Sequence, residues 1–272
     1  MRIVSLLPSA TDIVVALGAA DDLVGVSHSC SGEWDHLPKL TSTWIDTKAS
    51  AAEIDRQVST ATRPLYELDI ATLERLAPDV VVSQSLCDVC AVPAGDVQEA
   101  VLSLPSSPRL VDLSPHSLAD VPLCFDQVGN AIGREHAAAE LHEKWDATLA
   151  DYRGRHSGSK LRVVFLDWLD PPFVAGHWMP DMIEALGMTC LLGKSGEPSF
   201  KVEWDRIAKA APDIVIVACC GMDEDRAKAD AVPLDCPVLF LDGHMHFSRP
   251  SPALLPSMAM LSDAVAEFLE LA

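Results

Sequence analysis

Ala77-Pro-Asp-Val-Val-Val-Ser-Gln-Ser-Leu-Cys-Asp-Val-Cys90 has a counterpart further along the chain, Ala211-Pro-Asp-Ile-Val-Ile-Val-Ala-Cys-Cys220. In both copies a proline closes a helical segment, because its ring cannot continue the helix and it restricts the residue before it. The β-branched run that follows has the composition of a strand buried on both faces. Each strand then empties into a loop that carries cysteines. The flanks repeat too. Arg2-Ile-Val-Ser-Leu leads to Ile13-Val-Val-Ala-Leu-Gly18, as Arg162-Val-Val-Phe-Leu leads to Met182-Ile-Glu-Ala-Leu-Gly187, and Pro108-Arg-Leu-Val-Asp-Leu answers to Pro237-Val-Leu-Phe-Leu-Asp. The chain therefore reads as two homologous α/β lobes, each with a mostly parallel sheet. Ligands of such sheets bind outside the carboxyl ends of the strands, where both cysteine loops fall.

The bulk numbers narrow the function. A length of 272 residues suits two domains, and 49% hydrophobic residues can fill two cores. The formal net charge of -20 argues against a nucleic-acid partner and against an anionic membrane surface, both of which call for Lys and Arg. No run of about 18 apolar residues is present, so no membrane span is expected. Pro8-Ser9 interrupts the first apolar strand before a secretory signal could form, which makes the expected location cytoplasmic, or periplasmic if a leader has been trimmed. Eight cysteines that include a C-x-x-C point to thiol or metal chemistry rather than a disulfide framework.

The segments divide as an N-terminal α/β lobe over residues 1–121, a connecting helix over 122–158 and a C-terminal α/β lobe over 159–272. Pro8-Ser9 opens the first helix, with Ser9 or Thr11 as its cap and amides that could hold a ligand carboxylate or amide. His28 and Cys30, two apart in a rim loop, can ligate one metal or cofactor. Cys87-Asp-Val-Cys90 supplies half of a tetrahedral site or a reducible disulfide. Trp34 and Trp44 can floor a flat ligand, and the long stretch up to Pro180, which carries the further candidates Trp168 and Trp178, is of a length that tends to be functional. His177 lies within it. Of the adjacent pair Cys219 and Cys220, alternation lets only one face the ligand, and Cys220 beside Gly221 is the choice. His244-Met-His246 is read as extended, with both rings on one side. Phe247 and Arg249 follow.

These motifs resemble the helical-hinge, or class III, substrate-binding proteins of ABC importers, and within them the cobalamin-binding proteins. The likeness rests on Ser5-Leu-Leu-Pro-Ser-Ala-Thr-Asp12, Val24-Gly-Val-Ser27, Ser42-Thr-Trp44, both Pro-Asp strands, Pro171-Pro-Phe-Val-Ala-Gly176 and Phe247-Ser-Arg-Pro-Ser-Pro252. It implies two Rossmann-like lobes bridged by one long helix, a ligand cleft between them, and Trp44, Phe247 and Arg249 along a corrin site. The chain also resembles a cysteine-rich subgroup lacking a signal peptide, by His28-x-Cys30, Cys87-x-x-Cys90, Trp168 to Pro180 and Cys220-Gly221. The resemblance also places a docking acid seven residues ahead of each Pro-Asp proline. Those positions are Ala71 and Asp205, so docking to an ABC permease is expected to be compromised.

The leading expectation is a binder of a corrinoid (cobalamin-like) or related metal chelate. One alternative is a zinc, iron or iron–sulfur protein built on Cys30, Cys87, Cys90 and Cys220 with His28 or His177. Another is a chelatase- or reductase-like enzyme, although no nucleophile–base constellation or phosphate loop is visible.

Overall fold

The computed structural model describes residues 1–86, 89, 91–155 and 161–271. The described chain divides into two compact units. The first comprises residues 1–46, 57–115 and 120–144, and the second 47–56, 116–119 and 145–272.

In the first unit, strands β1 (Ile3–Ser5), β2 (Leu23–Gly25), β5 (Val80–Gln84) and β6 (Arg109–Leu113) form an all-parallel sheet in the order β2-β1-β5-β6. A separate antiparallel pair is made by β3 (Thr41–Thr43) and β4 (Tyr66–Leu68). Helices α1 (Pro8–Ala16), α3 (Ile70–Leu76), α4 (Ala94–Ser103) and α5 (Val121–Ile132) belong to this unit, while α2 (Ala51–Ser59) is shared by the division. β5 is buried at all five positions, as its unbroken β-branched run requires. Val4, Leu6, Val81, Leu73, Val97 and Val101 pack into one core between sheet and helices.

The second unit contains β7 (Arg162–Leu169), β8 (Pro172–Val174), β9 (Thr189–Cys190), β10 (Phe200–Lys201), β11 (Ile214–Val217) and β12 (Val238–Phe240), ordered β10-β8-β7-β11-β12 with β9 also on β7. β7, β11, β12 and β9 pair in parallel, whereas β8 turns back on β7 and receives β10 antiparallel. The segment expected to be a long irregular loop is thus largely a hairpin arm. Helices α7 (Met179–Ala185), α8 (Trp204–Ala210), α9 (Glu224–Ala227), α10 (Gly243–His246) and α11 (Leu254–Leu271) complete the unit. No helix among the described residues is long and apolar enough to cross a membrane.

The duplication is visible atom by atom. Ile3 pairs with Val80 and Val163 with Ile214, so the same register recurs. One residue earlier, the Arg2 amide donates to the Asp79 carboxylate at 2.8 Å and the Arg162 amide to that of Asp213 at 2.7 Å. The arginine side chains reach the ends of the preceding helices, Arg2 to the Leu76 carbonyl and Arg162 to those of Ala210 and Ala211. Both pre-proline alanines, Ala77 and Ala211, take left-handed backbone at φ 42° and 49°. The Pro-Asp pair is therefore a strand-starting clasp: proline stops the helix, and aspartate ties down the next strand's neighbour.

The helical pattern between the lobes resolves into two helices, α5 and the 21-residue α6 (Glu135–Arg155). Gly133, at φ 68°, caps α5 through its amide to the Gly129 carbonyl. Residues of α6 through Lys144 count with the first unit, and those from Trp145 with the second.

Candidate functional site

In the first unit the loops after β1 and β2 meet over a buried set of hydroxyls. Pro8 is at the first helical position of α1 and Leu7 is its N-cap, with no side-chain cap. The helix thus starts before Ser9 and Thr11, the caps expected from sequence, because proline's fixed φ is already helical. Ser9 is buried. Thr11 Oγ1 donates to Ser5 Oγ at 2.8 Å and lies 3.3 Å from the Cys30 thiol.

His28 is half-buried. Its Nδ1 is 2.7 Å from Thr41 Oγ1 and its Nε2 is 3.3 Å from Ser29 Oγ, while its amide donates to the same Thr41 oxygen. Burial lowers its pKa and favours the neutral ring. The structure engages both ring nitrogens with hydroxyls and places the Cys30 thiol beside Thr11.

Trp44 keeps part of its surface in solvent. Its Nε1 donates to the Pro64 carbonyl at 2.8 Å, and the Arg63 guanidinium lies 4.9 Å above its ring. One face is thus covered by a cation from its own unit. A cavity of about 240 Å³ between β5, β6 and α4 is lined by Ser83, Val97, Gln98 and Asp112 among others. None of the expected site residues lines it, and it falls below the roughly 300–1,000 Å³ of drug-sized sites.

The second unit presents loops after β8, β11 and β12. Asp167, near the end of β7, accepts a hydrogen bond from Ser199 Oγ, which in turn accepts one from the Gly176 amide at 3.1 Å. Withdrawal from water raises the Asp167 pKa to about 6, partly offset by the Ser199 bond. The carboxyl keeps its proton up to about pH 6 in the folded chain, but only to about 3.8 when unfolded. The native state holds the extra proton between those values, so this group's stabilising contribution is lost as pH rises through them.

The size of that effect is on the order of 2–3 kcal/mol. Asp167→Asn is accordingly expected to gain stability over the parent by about that much between pH 4.5 and 7.5, read from urea midpoints. A difference between the two proteins that stays flat with pH would show that the carboxyl is ionised throughout.

Cys219 is buried and Cys220 exposed, the alternation expected of an extended pair. Burial pushes the Cys219 thiol up to about 12, with the Asp167 charge adding to it, and Cys124 and Cys190 rise to about 12 and 11. At neutral pH these three remain thiols and ligate poorly. Cys87 and Cys90, the centre of the expected metal set, lie outside the described residues. Among the described residues no three His, Cys, Asp or Glu side chains are gathered where they could hold one ion.

The aromatic expectations divide. Trp168 is half-buried against the core of its unit, and its indole Nε1 is buried with no hydrogen-bond partner. Trp178 is 7% exposed and donates to the Phe247 carbonyl at 3.0 Å; Phe247 is 3% exposed and meets Phe165 edge-on at 5.4 Å. Trp178 and Phe247 are therefore interior packing rather than ligand-facing rings.

The His244–His246 stretch is a helical turn, not a strand. Asp242 caps it by accepting from the Met245 amide at 2.8 Å, and residues two apart in a helix point to nearly opposite sides. Gly243 is required here, since a Cβ would sit 2.2 Å from the Cys219 carbonyl oxygen. His246 turns to Ser257 at 3.4 Å, while Arg249, half-buried, donates to His244 Nε2 at 3.1 Å. Burial, with the Arg249 charge adding to it, lowers the His244 pKa. Arg249 so positioned offers the rest of its planar guanidinium to a carboxylate or phosphate.

Sequence reading missed Asp167, Ser199 and the Asp242 cap. The Asp242-Gly dipeptide after a strand was the available signal for the cap; Asp167–Ser199 spans 32 residues and left none.

A sequence profile of the periplasmic binding protein family matches residues 3–232. No curated protein matches. Among solved structures, the periplasmic vitamin B12 binding protein BtuF of Vibrio cholerae superposes with a TM-score of 0.70 at 16% identity, covering 98% of this chain and 97% of that one. The periplasmic heme binding protein HutB of Vibrio cholerae gives 0.73 at 19% identity, with 97% and 98% covered. A possible iron-binding protein from Staphylococcus epidermidis gives 0.71 at 20%, with 97% and 98% covered. At these identities the likeness is one of fold.

Proposed function

Because this chain belongs to the periplasmic binding protein family, whose members are substrate-binding proteins and not enzymes, we propose that it binds a planar metal chelate, a corrinoid above all. The observation that carries the reading is the superposition, over 97–98% of this chain, on periplasmic vitamin B12 and heme binding proteins. The partial exposure of four candidate side chains supports it. Trp44, Trp168, His246 and Arg249 are half-buried at loops or strand ends and keep surface for a ligand. Apolar surface they cover on a macrocycle contributes about 25 cal/mol per Å².

Delivery to a permease is not part of the proposal. Ala71 occupies the docking-acid position in the first turn of α3, and the nearby Asp69 carboxylate is committed to the Thr72 amide at 2.9 Å. The equivalent position in α8 does hold an acid, Asp205.

Thermal unfolding tests the reading across ligand classes. A ligand present at about a thousand times its Kd adds about 4 kcal/mol of stability. Hydroxocobalamin is expected to raise the midpoint by several degrees, and more than hemin or a ferric siderophore does. A larger rise with hemin would transfer the reading to porphyrins, and no rise with any of the three would remove it.

A further inference from the structure

His116 and His177 are 61 positions apart in sequence, yet their rings stand 6.3 Å apart between centroids, tilted by 43°. Two imidazoles sharing one ion through metal–nitrogen bonds of about 2.0–2.1 Å have centroids about 5–6 Å apart, so only a small side-chain adjustment separates this pair from shared ligation. Both residues belong to the second unit.

Their backbones are held in place. His177 takes left-handed backbone at φ 51°, fixed by its amide to the Glu197 carbonyl at 2.7 Å and its own carbonyl to the Gly196 amide at 3.2 Å. Strain of this kind in a non-glycine residue persists where the surroundings impose it, and it gathers at functional sites. The loop carrying His116 is tied down two residues later. The Leu118 amide donates to Asp181 Oδ2 at 2.9 Å, and that oxygen also accepts from Ser195 Oγ at 2.8 Å. One carboxylate at the start of α7 thus braces the loop of His116 from a position four residues beyond His177.

His177 Nδ1 is buried and has no hydrogen-bond partner. A polar atom in that position calls for an explanation, and an ion is one.

We propose that His116 and His177 together form a binding site for a borderline divalent transition-metal ion such as Ni²⁺, with the remaining coordination positions filled by water or an exchangeable ligand. Imidazole suits such ions, and no third protein ligand is gathered among the described residues, so the site is an open one. The site needs no macrocycle and stands apart from the chelate reading.

The test is calorimetric titration of reduced, metal-free protein with NiCl₂ at pH 7.5, in the parent, His116→Ala, His177→Asn and a Cys87→Ser/Cys90→Ser double variant. Asparagine is chosen at 177 because it tolerates left-handed backbone, and His116 is exposed, so its variant should fold even if the other does not. The expected result is one Ni²⁺ per chain in the parent and in the cysteine variant. Losing an outer partner of a metal ligand already costs about 10–100-fold in affinity, so losing a ligand outright should weaken each histidine variant at least that much. Parent-like affinity in His116→Ala, binding that disappears in the cysteine variant, or no binding by the parent would overturn the proposal. Because the probe carries no chelator, each of these outcomes leaves the corrinoid titrations to be judged separately.

Discussion

Phe247→Ala is expected to lower the stability of the second unit by about 3–5 kcal/mol, the usual cost of emptying a buried aromatic site. The ring is 3% exposed and edge-on to Phe165, itself 1% exposed. Its backbone carbonyl accepts the Trp178 indole, so a cavity at 247 also loosens the support of that second buried ring. By resemblance Phe247 should line a corrin, and a ligand-lining role makes a different forecast: affinity lost with stability nearly intact. Urea unfolding of the variant, followed by ligand titration under conditions where it is folded, separates the two. A stability loss below about 1 kcal/mol together with lost affinity would return Phe247 to the ligand surface and contradict the packing account.

Gly176→Ala is expected to cost about 3 kcal/mol, the upper part of the range for overpacking. A Cβ at 176 would lie 2.1 Å from the Glu197 carbonyl oxygen and 2.7 Å from the Pro198 carbonyl carbon. Both obstacles are backbone, so no rotamer change relieves the clash. The 197–199 segment must move, and with it the His177 amide's acceptor and the Ser199 hydroxyl that bonds Asp167. The substitution should therefore shift the pH dependence assigned to Asp167 as well as the denaturation midpoint. A variant within about 0.5 kcal/mol of the parent would show that the loop has room the structure does not give it.

The two-lobed α/β architecture was legible because it rests on local signals. β-branched runs, the pre-strand prolines and the recurrence of Arg…Pro-Asp are each read from a few adjacent residues, and in the fold they become matched registers and matched clasps. Boundaries that depend on one residue's backbone were harder. Gly133 divides a helical pattern whose apolar periodicity runs on without interruption, and only its left-handed φ shows the stop.

The candidate site was legible only in part. That the adjacent cysteines differ in exposure followed from alternation, and Gly221 beside Cys220 pointed to the exposed one. Trp178 and Phe247 did not betray their burial, because an aromatic residue in a Gly- and Pro-rich stretch reads the same whether it faces a ligand or a core. The His116–His177 contact has no sequence signature, since loops 61 positions apart meet only through the fold.

The chelate reading meets its most direct test in an anaerobic titration of reduced, metal-free protein with hydroxocobalamin, followed in the visible spectrum. The account predicts a saturable one-to-one spectral shift that weakens in Arg249→Ala. If the shift also disappears in Cys87→Ser or Cys90→Ser, a thiolate of that pair is the axial ligand; if it survives both, the aromatic and arginine contacts are the binders. A spectrum that remains the sum of protein and cobalamin at every ratio would contradict the corrinoid assignment.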